Sequence, residues 1–144
     1  MATSASGVCD ALVTMLSAAS VFGSGGAAWT YDILESHTGS AAAVISFLSL
    51  DRRPVAYGNP TDKEGRWLFS VNLFIKDAGN AKTTLTRVSA AIDAVISCVD
   101  ADDTLLSTVE LVTGLRATRK PDEYIEAGGA TWLPVEMQVE GLEL

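Results

Sequence analysis

A chain of 144 residues can hold one domain with a proper core, and nothing in its composition divides 1–144 into two. Hydrophobic residues make up 48% of it, which excludes a disordered chain of this modest charge. The formal charge of −8 argues against binding to nucleic acid, because that affinity rests on lysines and arginines displacing counterions from phosphates.

The N-terminus carries no basic region of the kind that opens a signal peptide. The apolar run from Val8 to Phe22 is broken by Asp10, Thr14, Ser17 and Ser20. It is too short and too polar to span a bilayer, so no membrane is expected and the cytoplasm of the producing cell is the default. Residues 6–20 predict a first helix, with Val8, Leu12, Met15, Leu16 and Ala19 on one face and Ser4 or Ser6 as its cap. The glycine cluster from Phe22 to Gly26 ends that helix. It lacks the Gly-Lys-Ser/Thr ending of a phosphate-binding loop and follows a helix rather than a strand.

Residues 27–42 hold Trp29, Tyr31, Ile33 and Leu34, too apolar for a free linker, and are expected to cover one edge of the core. His37, the only histidine, is read as an exposed loop residue. Residues 43–50 predict a strand with Ile45 and Phe47 inward, stopped at Pro54, which cannot donate to a ladder. A polar loop over 55–66 follows.

From Trp67 to Lys76 the residues alternate, with Trp67, Phe69, Val71, Leu73 and Ile75 on one side. Period-two alternation marks a strand with one face on a core. Asn80 is a candidate N-cap for a helix over 81–99, whose stripe is Leu85, Val88, Ile92, Val95, Ile96 and Val99. Asp100, Asp102 and Asp103 raise the question of calcium, but Leu105 and Leu111 occupy the positions where an EF-hand needs Gly and an acid. That stretch is read as a solvated loop.

Residues 107–120 predict a third strand. Val109, Leu111, Thr113, Leu115 and Ala117 share one face, and Glu110, Val112, Gly114, Arg116, Thr118 and Lys120 the other. A loop over 121–129 leads to a fourth strand over 130–143, in which Pro134 suggests an edge position or a bulge. Cys9 and Cys98 fall in two different helices and form neither a disulfide framework nor a zinc site. They are read as reduced thiols, and no metal or cofactor is expected.

The order helix, strand, strand, helix, strand, strand predicts an α+β domain of two layers: a four-strand, mainly antiparallel sheet with both helices on one face. The other face would carry Leu68, Phe74, Val112, Trp132 and Leu142 among Ser70, Asn72, Arg116 and Glu136. That is too apolar for a wetted surface, so Leu68, Phe74, Val112, Arg116, Trp132 and Glu136 are the candidate protein interface. The alternatives are a sheet that curls over itself, or residues 27–42 folding back across it.

The order of elements, the strand ending at Arg53-Pro54, the long loop, the segment Trp67-Leu-Phe-Ser-Val-Asn-Leu-Phe-Ile and the two closing strands resemble the tail terminator family of long-tailed (siphovirus-type) bacteriophages and related tail-completion proteins. The resemblance covers nearly the whole chain and is one of architecture, length and acidity, without a short motif. It implies a non-enzymatic virion protein. Such proteins form a homo-oligomeric ring, commonly a hexamer, that caps the tail tube, ends its polymerisation and offers a surface to the head connector or completion protein. DNA passes through the lumen, and the protein is assembled in the host cytoplasm into the neck of the virion tail. The alternatives are another head–tail connector, a tail tube subunit, a module that binds a small ligand or peptide, or an enzyme. Catalysis needs a positioned acid, base or nucleophile, and the sequence offers little for that role.

Overall fold

The computed structural model describes residues 3–23, 25–54, 63–119 and 123–144. In chain order its elements are α1 (Ala5–Ser17), β1 (Ala27–Ala28), α2 (Ile33–Ser36), β2 (Ala41–Pro54), β3 (Lys63–Lys76), α3 (Ala81–Ala101), β4 (Leu111–Arg119), β5 (Ile125–Ala127) and β6 (Ala130–Leu142). The expected four-strand sheet with two helices is therefore corrected to a six-stranded mixed sheet with three helices. The sheet runs β1-β2-β3-β6-β4, with β5 paired to β6 beyond the end of β4. β1 lies parallel to β2, and every other pairing is antiparallel. The unforeseen elements, β1, α2 and β5, hold two, four and three residues, too few for any hydrophobic period to show.

β2 and β3 are longer than their apolar residues suggest. The ladder continues through Asp51↔Arg66, Arg52↔Gly65, Arg53↔Glu64 and Pro54↔Lys63, and its last two rungs extend past the end of β6 as a short arm. Ion pairs replace apolar contacts there: Arg53 to Asp51 at 2.9 Å, Arg66 to Glu64 at 3.2 Å, and Arg52 to Glu143 at 3.1 Å.

β6 is central rather than at an edge, despite Pro134. β4 reaches only as far as Arg119↔Val135, and β5 begins at Ile125↔Trp132. Among the described residues no rung of β4 or β5 stands opposite Pro134, so its missing N–H costs none of them.

α1 and α3 cover one face of the sheet and build the main core. α1 contributes Val8, Ala11, Leu12 and Leu16, capped by Ser4, whose hydroxyl accepts from the Gly7 N–H. α3 starts at Asn80, whose side chain accepts from Lys82 and Thr83. Its buried face is Thr84, Val88, Ala91, Val95 and Val99. Leu85 and Ile96, expected on that stripe, are exposed. The helix turns inward on its small residues, and Ala91 lies fully against the core.

Candidate interaction surfaces

The outer face of the sheet divides in two. At the end nearest α2, Ile33, Leu34, Ala42, Val44, Phe74 and Trp132 form a second core. Phe74 and Trp132 are therefore not the exposed patch expected of them: Trp132 is 0% exposed. The segment 27–42 folds back over them, as one of the alternatives held. The Trp132 indole N–H donates to the Ala127 carbonyl at 3.2 Å, and Tyr31 meets Phe74 edge-on at 5.5 Å. His37 is half-buried rather than a free loop residue. Its Nε2 donates to the Ala41 carbonyl at 2.8 Å, and its ring stacks on Trp132 at 6.5 Å.

The other half of that face is polar. Ser46, Ser70, Asn72, Gln138 and Glu140 occupy it, with Arg66 donating to Glu140 at 3.0 Å. Among the predicted interface residues, Leu68 and Glu136 are half-buried here and Arg116 is exposed. Gln138 donates to the Glu136 carboxylate at 3.0 Å. Val112 belongs to the main core instead, because a bulge between Val112 and Gly114 shifts the phase of β4. The six residues thus do not form one continuous surface.

Three neighbouring apolar side chains are left open on β2, a few residues before the arm. Phe47, Leu48 and Leu50 are 43%, 43% and 39% exposed. A bulge between Phe47 and Ser49 releases Leu48 from the pleat. Phe47 leans on Trp67 at 5.7 Å and on Phe69 at 5.8 Å, and Trp67 stacks on Phe69 at 6.2 Å. The Trp67 indole nitrogen is the one buried side-chain polar atom without a hydrogen-bond partner among the described residues. The two consecutive apolar residues Phe47 and Leu48 break the alternation of β2, and that was the available signal for this corner.

A cleft of about 390 Å³ lies beside the start of α3, walled by Asp77, Leu85, Val88, Tyr124 and Leu133. Leu85 and Tyr124 stand open at its rim. After α3 the chain makes a left-handed turn in which Leu105, Leu106 and Ser107 all take positive φ. L-residues resist that conformation by about 1–2 kcal/mol each. Asp102 holds the turn: its carboxylate accepts from the Thr104 hydroxyl at 2.6 Å and from the Leu106 N–H at 3.0 Å. The same bonds, the Thr104 hydroxyl first, lower its pKa below the ordinary carboxylate range. The acid cluster is thus part of a structured turn rather than a simple solvated loop.

Cys9 is buried and Cys98 half-buried, and desolvation raises the pKa of both thiols. Among the described residues no group of His, Cys, Asp and Glu is arranged to hold a metal ion. No described helix is long and apolar enough to cross a membrane. Of the loops expected over 55–66 and 121–129, residues 55–62 and 121–122 lie outside the described residues. Compared with known proteins, the chain matches no family model and no curated sequence.

Proposed function

We propose that the chain is a structural virion protein of the tail-terminator type, which self-associates into a ring and caps a phage tail tube. The observation that carries this reading is the group of exposed Phe47, Leu48 and Leu50 side chains on β2, at the border of the sheet and a few residues before the short arm. Apolar side chains grouped in the open on one strand suit contact with another protein. The negative charge fits a lumen through which DNA moves without sticking, since such a wall supplies no phosphate neutralisation. The ring's neighbours would be the tube protein on one side and the head connector on the other. The chemistry asked of this chain is association, not catalysis.

A second reading, a module that binds a small ligand or peptide, draws on the cleft beside α3, where Leu85 and Tyr124 flank an opening of about 390 Å³. Native mass spectrometry over a concentration series, with negative-stain images of the same sample, separates the two. Closed rings of one size that attach to one end of added tail tubes support the terminator reading. Open filaments assign a tube subunit. A strict monomer that no tube end recruits overturns the ring and favours the cleft.

A further inference from the structure

Among the described residues the two edges of the sheet are open, and they match each other. β1 covers β2 only at Ala43 and Val44, and no other described strand lies beside β2 from Ile45 to Pro54. At the far side, β4 pairs with no described strand but β6. Its start is occupied, since the Val112 N–H donates to the Asp103 carbonyl at 2.7 Å, but Gly114–Arg119 has no described strand on its outer side.

The phase of the ladder shows which backbone groups face outward. The Ala43 N–H donates outward to Gly26 at 2.8 Å, while Lys76 N–H donates to Ser40 between β3 and β2. In an antiparallel ladder both polar groups of a residue face the same side, and the side alternates along the strand. Ile45 and Phe47 therefore point their N–H and C=O groups outward from β2. Carried across β3 and β6, the alternation points Leu115, Ala117 and Arg119 outward from β4.

The rows of the sheet place these groups level. One row runs Phe47–Phe69–Val139–Leu115, and the next in phase runs Ile45–Val71–Met137–Ala117. Arg116 shares its row with Ser46, so a level neighbour brings no like charges together there. The four long strands alternate in direction, so β4 of one copy runs antiparallel to β2 of a copy placed beside it. Long open edges with apolar flanks pair with other strands unless they are blocked. A contact between unlike edges is head-to-tail, and it closes into a ring when the rotation allows.

We infer that the partner of the Ile45–Leu50 edge is the Gly114–Ala117 edge of a second copy of this chain, joined as one continuous antiparallel sheet. This rests on the self-association part of the reading above and names its surface.

Two proline variants test it, because each removes an outward N–H while sparing the ladder inside the subunit. Phe47→Pro blocks the β2 edge and Ala117→Pro the β4 edge, with Phe47→Ala and Ala117→Gly as controls that keep the donor. The full-length proteins are followed by native mass spectrometry over a concentration series. Each proline variant is expected to raise the concentration needed for assembly at least tenfold above that of its own control, and Ala117→Gly to stay within about threefold of wild type. An equimolar mixture of the two proline variants is expected to form a 1:1 dimer and nothing larger, because one good edge pair remains. Should Phe47→Pro lose its cooperative thermal transition, Leu50→Lys at the same exposed edge replaces it. Rings from both proline variants at wild-type concentrations would overturn the edge contact and leave the ring reading standing. Homodimers of Ala117→Pro alone would overturn the head-to-tail arrangement in favour of two-fold β2 pairing. A wild-type chain that stays monomeric throughout would overturn the edge contact and remove the support for spontaneous ring formation.

Discussion

The Lys76 ammonium lies 5.1 Å from the centre of the Trp132 ring, so a charge closes the second core where α2 does not reach. Its attraction to the ring face adds about 0.5–1 kcal/mol at such a site. Trp132 itself is anchored by its bond to Ala127 and by the stacked His37.

Trp132→Ala is expected to destabilise the monomer by about 3–5 kcal/mol, the usual cost of emptying a buried tryptophan site. Urea unfolding followed by circular dichroism measures it. A loss below about 1 kcal/mol would mean that the Ile33–Leu34 cover does not pack on the sheet in solution.

Asn80 closes the first turn of α3 with two backbone donors. Asn80→Ala is expected to cost about 1 kcal/mol, and Asn80→Gly only a few tenths. The ratio of the two, read from thermal melts, separates the lost cap from any change in the backbone.

Asp102 gives a pH-dependent term of known sign. Its folded pKa is lowered, so its contribution is present above the unfolded value, about 4, and is lost as the pH falls through the folded value. The difference in melting temperature between wild type and Asp102→Ala should be full at pH 7 and narrow below about pH 4. A difference that widens in acid would show that the carboxylate does not hold the Leu105–Ser107 turn.

The thiols give a simple probe of packing. Burial raises the pKa of Cys9, and the neighbouring Asp10 carboxylate raises it further, so nothing activates this thiol. With Cys9 inside α1's buried face, a disulfide reagent at pH 8 should label Cys98 first and Cys9 only on unfolding. Equal labelling rates in the native state would place α1 off the sheet.

The long elements were legible because each repeats its pattern over several turns or rungs. Trp67–Lys76 alternates cleanly, and Asn80 announces α3. The inner face of α3 was misjudged because Leu85 and Ile96 outweigh Thr84 and Ala91 in hydrophobicity, while the packing selects the smaller pair. Pro134 suggested an edge because the sequence cannot show that no described rung of β4 or β5 stands opposite it. The exposure of Trp132 was misread for a related reason: its cover, α2, is a single turn whose residues carry no period. The candidate corner at Phe47–Leu50 was hidden because an apolar residue at a strand's rim and one in its core look alike in a sequence.

β1 contributes little burial, yet it limits travel along the neighbouring strand. Anything sliding up β2 from the arm must halt below Ala43, whose N–H is already held by Gly26. Gly26 is itself irreplaceable by a larger residue without movement, since a Cβ there would collide with the Phe22 carbonyl. Two alanines and a glycine thus act as the zero mark of a ruler: they leave the strength of a joint to other residues and fix where it starts.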